Sequence, residues 1–464
     1  LEPDQIFELI VSINKHHELA FGLPDFKTQE ELSQFFQELA GDQERMQDLE
    51  SRSKLWEFAR LQTNTAVLWD VILSDTYQTW FKKWPEHAAH DLIGDSPEIA
   101  FQNGTGVDLV ELISLGRHLW LLGETGALTF TRDSLIESQF SEAVLGLAFG
   151  SASLAVQDYR SLIVKEREEG DVSNRRYTFG QFPILQLSDE SYLILRPSWA
   201  AERFCGQQLY WQAFADFGGP RKAAAKQLSG AMDLVFERNV DYVLRRVHKK
   251  APHSFDLINE RQMQQAWRRS SGPPSVCDWA LWAGDVCVLI DANNHRLNFS
   301  LAQGLADEGN YSEDLEKSTL RKIAQFRSTA DSFRANGWDG SELGPGTLFV
   351  PIIVVPNAGL PMTSIGDVDL AKRAKPIFDG SDAIFANPGT ITWQELQLLE
   401  ALCDSRNPSG FIELVGVWRK SCTLSFPVRL QTFLDQSGLD RPIGKYPKIG
   451  RRLLEQKLDA RGAA

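Results

Sequence analysis

Large apolar residues recur every three or four positions through the first third of the chain. In KLWEFARLQTNTAVLWDVILSDTYQTWFKKW (54–84) and VDLVELISLGRHLWLLG (107–123) this is the spacing that gathers side chains on one face of an α-helix. Residues 1–165 are therefore expected to form a helical N-terminal domain. The charged stretch KEREEGDVSNRR (165–176) interrupts the pattern with Gly170, Asp171 and Asn174, and reads as a linker. FPILQLSDESYLILRP (182–197) follows as two short strands about Ser188, Asp189 and Glu190, a hairpin expected to open a second domain over residues 177–390.

Within that second region the period changes repeatedly. Met232, Val235, Phe236, Val240, Val243 and Val247 keep helical spacing through 229–248, and a strand is possible near 254–260. CDWALWAGDVCVLIDANNHRL (277–297) reads as a buried β-hairpin, 311–337 as a helix closed by a glycine, and GTLFVPIIVVP (346–356) as a buried strand. A second short strand is expected at 383–385. Thr392 and Glu395 form a capping box for the next helix, and two more amphipathic helices follow near 411–420 and 427–436. The expected fold class is α+β: a helical N-terminal domain, a layered α/β core with a mixed sheet, and a C-terminal helical extension (391–464) packed on that core.

The composition is that of a soluble cytoplasmic protein, with 464 residues, 43% hydrophobic and 24% charged. No run approaches the roughly 18 apolar residues of a membrane span, and the first residues lack signal-peptide order, so no membrane association is expected. The five cysteines are scattered, without zinc-site spacing, and read as buried thiols in a reducing compartment. Net charge is −14, which argues against nucleic acid until its distribution is examined. Residues 1–150 hold 10 Lys and Arg against 25 Asp and Glu, so the remainder is close to neutral. Residues 221–269 hold 11 Lys and Arg against 5 Asp and Glu. Arg245, Arg246, Lys249 and Lys250 in that stretch suit either a phosphate backbone or a solvated helix face. There is no phosphate-binding glycine loop, serine-hydrolase elbow or H-E-x-x-H.

The hairpin carries the candidate chemistry. If Gly284 and Asp285 form a two-residue type II′ turn, Ala283 faces Val286, and counting outward sets Asp278 directly opposite Asp291. Opposed residues share a face with Cβ atoms ~4.5–5.5 Å apart, where two carboxylates repel unless one keeps a proton or a cation joins them. A divalent ion such as Mg²⁺ or Mn²⁺ would resolve the conflict; a longer turn, with one Asp at a solvated strand end, is the other reading. Asn293 follows Asp291 by two and points the same way.

The order of these elements resembles the PD-(D/E)XK restriction-endonuclease-like superfamily. The match runs from Glu237 in LVFERNVDYV through Asp278 in CDWAL to LIDAN (289–293), then the helix with KIAQF and the strand LFVPIIVV, about a quarter of the chain. The resemblance implies metal ligation by Glu237, Asp278 and Asp291, with the Ala292 carbonyl as a further contact. It implies a Mg²⁺- or Mn²⁺-dependent nuclease acting on nucleic acid, DNA first, in a setting such as bacterial defence against foreign DNA. Two positions depart from the family. Asp291 stands for the usual Glu, and Asn293 for its Lys, giving D-x-N in place of E-x-K. A neutral amide can orient a water but supplies no positive charge. Some relatives carry that Lys on a neighbouring helix, where Lys317 and Lys322 are the nearest candidates, and Gln325 there resembles a glutamine used near DNA. His295 could also touch the site. The alternative is a pseudo-nuclease: a module that binds nucleic acid, or a protein partner through the acidic helical domain, without cutting.

Overall fold

The computed structural model describes residues 69–168, 177–268, 272–295, 308–357, 364–405, 410–422 and 428–462, with isolated positions 31, 34 and 270. The first helical run is thus seen only from α1 (Trp69–Trp80) onward, and most of the expected linker lies outside the described residues. The chain is mixed α+β, and its described residues form two sheets and three hydrophobic cores.

The first core differs from an all-helical domain. Strands β1 (Thr129–Thr131), β2 (Ser153–Ala155), β3 (Ile184–Gln186) and β4 (Ser191–Ile194) form a sheet in the order β1-β4-β3-β2. The hairpin at 184–194 is present as expected, but it pairs backward: β4 runs antiparallel to β1, and β3 parallel to β2. Ile184, Tyr192 and Ile194 accordingly enter the core of Leu112, Val144 and Leu145. The boundary expected at 165–177 does not separate this hairpin from what precedes it. Three-residue strands carry almost no periodic signal, which hid β1 and β2 from a reading by spacing. The same core takes in α2 (Gln208–Asp216), the first half of α3 (Ala223–Lys250), and Leu454 and Leu458 of the last helix, α6 (Lys445–Gly462). The C-terminal extension therefore divides between both halves of the molecule.

The second sheet holds β5 (Asp256–Asn259), β6 (Trp279–Ala283), β7 (Val286–Ala292), β8 (Leu348–Val355), β9 (Ile384–Phe385) and β10 (Gly389–Thr392). Its order is β10-β8-β7-β6-β5, with β9 also on β8; β5, β6 and β7 are antiparallel neighbours, while β7, β8, β9 and β10 pair in parallel. Because successive strand residues point to opposite faces, Leu281, Val288, Ile290, Val350 and Ile352 meet one layer of helices. That layer contains the second half of α3, α5 (Trp393–Ser405) and the helices 410–421 and 430–436. Cys287, Leu289, Phe349 and Ile353 meet the other layer, where α4 (Arg321–Asn336) supplies Ile323, Phe326 and Phe333. Thr392 caps α5 as read: its amide donates to Glu395 Oε2 at 2.8 Å, and the Glu395 amide donates to Thr392 Oγ1 at 3.2 Å.

Candidate functional site

The tight turn forms where the glycine demands it. Gly284 has φ +57°, and Ala283 pairs with Val286, the register running out to Trp279 opposite Ile290. Asp278 and Asp291 are the next residues outward, on the face shared with Ala280 and Leu289. Asp278 ends the ladder: its Oδ2 accepts from the Ala292 amide at 2.8 Å, and its carbonyl accepts from the Glu260 amide at 2.7 Å.

Helix α4 lies over that same face, so its first turn reaches the end of β7. Lys322 Nζ comes 2.6 Å from Asp291 Oδ1; the Asp291 side chain is 0% exposed and Lys322 25%. Apart from this ammonium and the facing Asp278 carboxyl, no described group answers the Asp291 oxygens, and both are shielded from water. Burial holds the Asp291 carboxyl well above the usual carboxylate range, with the Asp278 charge adding and Lys322 opposing. Asp278 is raised by burial against the pull of Lys322 and the Ala292 amide. Burial alone would lower the Lys322 ammonium, but Asp291 and Asp278 outweigh it and the group is raised.

Glu237 joins from α3. Its carboxyl is pushed up to about 7, first by burial and then by Asp278 and Glu260, so it belongs to the same electrostatic cluster. Glu260 was not anticipated. It opens the helix Glu260–Ala266 directly after β5, capped by Asn259, and is raised by burial and by Asp278. Its signal was only its position at the end of an expected strand.

Of these groups Glu237, Asp278 and Lys322 open into a cleft of about 520 Å³. One wall is a stripe of α3, Ser229, Asp233 and Glu237, spaced four apart and hence on one helix face. The floor is Asp278, Ala292, Asn293, Asn294 and His295, with Lys322; the opposite wall is Tyr210, Trp211 and Phe214 of α2. Asn294 Nδ2 donates to Asp233 Oδ1 at 3.0 Å, tying floor to wall. His295 Nε2 lies 3.0 Å from Asp314 Oδ1.

Three expected roles change. Asn293 points to the expected face but is spent on structure: its Nδ2 donates to the Ser318 carbonyl at 2.6 Å, and its Oδ1 accepts from the His295 amide at 3.0 Å. Ser318 lies in a π-helical turn, Glu316–Leu320, whose wider coil leaves carbonyls to be satisfied from outside. Lys317 pairs with Glu313 at the surface, which leaves Lys322 as the amine at the site. The basic run on α3 is largely committed within the chain. Arg246 forms a bidentate pair with Glu400 (2.6 and 2.9 Å), Lys250 pairs with Asp404, and Arg245 pairs with Asp241 at 2.5 Å. The Arg246 and Lys250 pairs pin α3 to α5, and of the four bases only Arg245 and Lys249 are exposed. Gln325 Nε2 is 3.5 Å from the Val276 carbonyl, bracing the approach to β6.

Among the described residues no set of three or more Asp, Glu, His or Cys side chains is arranged as a metal cage. The arrangement fits a different kind of cation site: two opposed carboxylates, one with both oxygens buried, beside a cleft that water can enter. Mg²⁺ commonly binds one or two carboxylates and completes its shell with water. No described helix is long and apolar enough to cross a membrane. Compared with known proteins, the chain matches no family model, no curated protein and no solved structure.

Proposed function

We propose that this cleft is the active site of a metal-dependent phosphodiesterase acting on nucleic acid, of restriction-endonuclease-like type. The observation that carries the reading is the meeting of Asp278, Asp291 and Lys322 on one sheet face, with Asp278 and Lys322 lining an open cleft and Asp291 buried behind them. The order around it supports the same reading: a long helix with Glu237, three antiparallel strands, a helix, then a strand parallel to the third. Lys322 supplies from the helix the ammonium that Asn293 cannot supply from the strand. Defence against foreign DNA is the setting the resemblance implies.

Asp278 and Asp291 would hold Mg²⁺ or Mn²⁺, and Glu237, which feels the Asp278 charge, would add to the negative field of the site. Such an ion supplies polarisation of the phosphodiester and acidification of a bound water. Lys322 then stands where negative charge grows on the phosphoryl oxygens and offsets it.

One feature favours a second reading, a pseudo-nuclease that binds without cutting: Lys322 already neutralises Asp291 when no metal is bound. Incubating the protein with plasmid, linear duplex and single strands in Mg²⁺ or Mn²⁺ separates the two. Cleavage lost by at least about a hundredfold in Asp291→Ala supports the enzyme, since removing one such charge-stabilising group costs on this scale. Absence of cleavage on every substrate, with calcium still raising thermal stability in wild type and not in Asp291→Ala, supports the binding module.

A further inference from the structure

We infer that the cleft takes an unpaired nucleotide, whose base stacks on the aromatic wall of α2 while its phosphate meets the carboxylate floor. The inference rests on the reading of the cleft as a nucleic-acid site, and names the form of the substrate.

Tyr210, Trp211 and Phe214 make one aromatic group on a single helix. Tyr210 and Trp211 have ring centroids 5.1 Å apart at 73°, Trp211 and Phe214 5.9 Å at 89°, and Tyr210 and Phe214 5.7 Å at 20°. Tyr210 is buried in the first core and Phe214 packs against it, which fixes the helix; Trp211 is 42% exposed on the cleft wall. The indole of Trp211, edge-on to both of those rings, still leaves a large aromatic surface open on the cleft wall beside ionisable groups. Stacking needs an open base face. In a duplex both faces are covered by neighbouring pairs, so an aromatic wall beside the reacting groups selects a base that is single-stranded or turned out of the helix.

The charge around the cleft leads to the same conclusion. Asp233, Glu237 and Asp278 line it, and among the described residues Lys322 is its one Lys or Arg, already beside Asp291. Among the described residues no track of cations leads from the cleft along a duplex backbone, since Arg246 and Lys250 are bonded to Glu400 and Asp404. With little phosphate attraction available, affinity has to come from the base and from a divalent ion that offsets the carboxylates.

The test uses the full chain in calcium, with a short fluorescent single strand and the duplex of the same sequence as probes, read by anisotropy. Wild type is expected to bind the single strand at least tenfold more tightly than the duplex. Trp211→Ala should weaken single-strand binding by about 5- to 150-fold, the usual worth of one stacked base, and Trp211→Phe should restore part of it. Equal single-strand affinity of wild type and Trp211→Ala overturns the inference, as does duplex binding as tight as single-strand binding. Cleavage assays keep the two claims apart. If Asp291→Ala is inactive while Trp211→Ala cuts single strands as fast as wild type, catalysis stands and stacking fails. If nothing cuts but Trp211→Ala loses single-strand affinity, stacking stands and catalysis fails.

Discussion

Two pairs of buried acids in this chain are handled in opposite ways. Asp278 and Asp291 face each other across a hairpin, with an ammonium 2.6 Å from Asp291 and a cleft of about 520 Å³ beside them. Asp75 of α1 and Glu202, between the first core and α5, line a cavity of only about 70 Å³. No cation pairs with Asp75 or Glu202 among the described ion pairs. Asp75 accepts from Trp393 Nε1 at 2.7 Å and Gln397 Nε2 at 3.2 Å, and burial pushes both carboxyls up to about 7. Neutral donors suffice for an acid that can keep its proton in a narrow space. An acid beside an open cleft that is to bind a cation must stay ionisable, and that calls for a compensating charge that can be displaced or shared.

The contrast breaks most directly at Lys322. Lys322→Met leaves the Asp278 and Asp291 carboxylates without their cation, and is expected to destabilise the protein by about 3–5 kcal/mol at pH 8, measured by denaturant unfolding. The loss should shrink as pH falls, because burial favours the protonated form of Asp291. A cost below about 1 kcal/mol at pH 8 would make the two acid pairs equivalent and remove the reason for separating them.

Asp75 sharpens the comparison from the other side. Its carboxyl loses its proton near the ordinary value of 3.8 in the unfolded chain but keeps it to about 7 when folded. The folded state therefore binds more protons between those values, and stability falls as pH rises through that window. Asp75→Asn retains an acceptor for Trp393 and removes the titration. It should add about 1–3 kcal/mol at pH 8.5 and almost nothing at pH 4. A gain that is the same at both would mean that the proton plays no part.

The smallest effect is expected at Asn293. Asn293→Ala removes the bond to the Ser318 carbonyl and should cost about 1 kcal/mol of stability, while calcium raises the melting temperature as it does in wild type. Loss of the calcium response in this variant would return Asn293 to the site and weaken the assignment to Lys322.

Much of the core was legible because its signals are local. The turn at Gly284, the register that brings Asp278 opposite Asp291, the buried strand at 348–355 and the Thr392 cap each follow from a few neighbouring residues. Arg419 shows where legibility stops. It reads as one base in a helix, yet it is buried against Asp367 at 3.1 Å and against the Asn387 and Pro388 carbonyls, so close to Gly389 that a Cβ there would press on the guanidinium at 3.0 Å. The same limit hid the partners of Arg246, the backward pairing of the 184–194 hairpin and the aromatic wall at Trp211.

The sequence by itself determined the periods, the turn and the opposition of two carboxylates, because these depend on residues within a few positions of one another. The tertiary structure alone decided which amine answers them, which bases are spent on holding helices together, and which side of the hairpin opens to a cleft. Those outcomes depend on how helices 30 or more residues away lie over the sheet, and no local spacing encodes that placement.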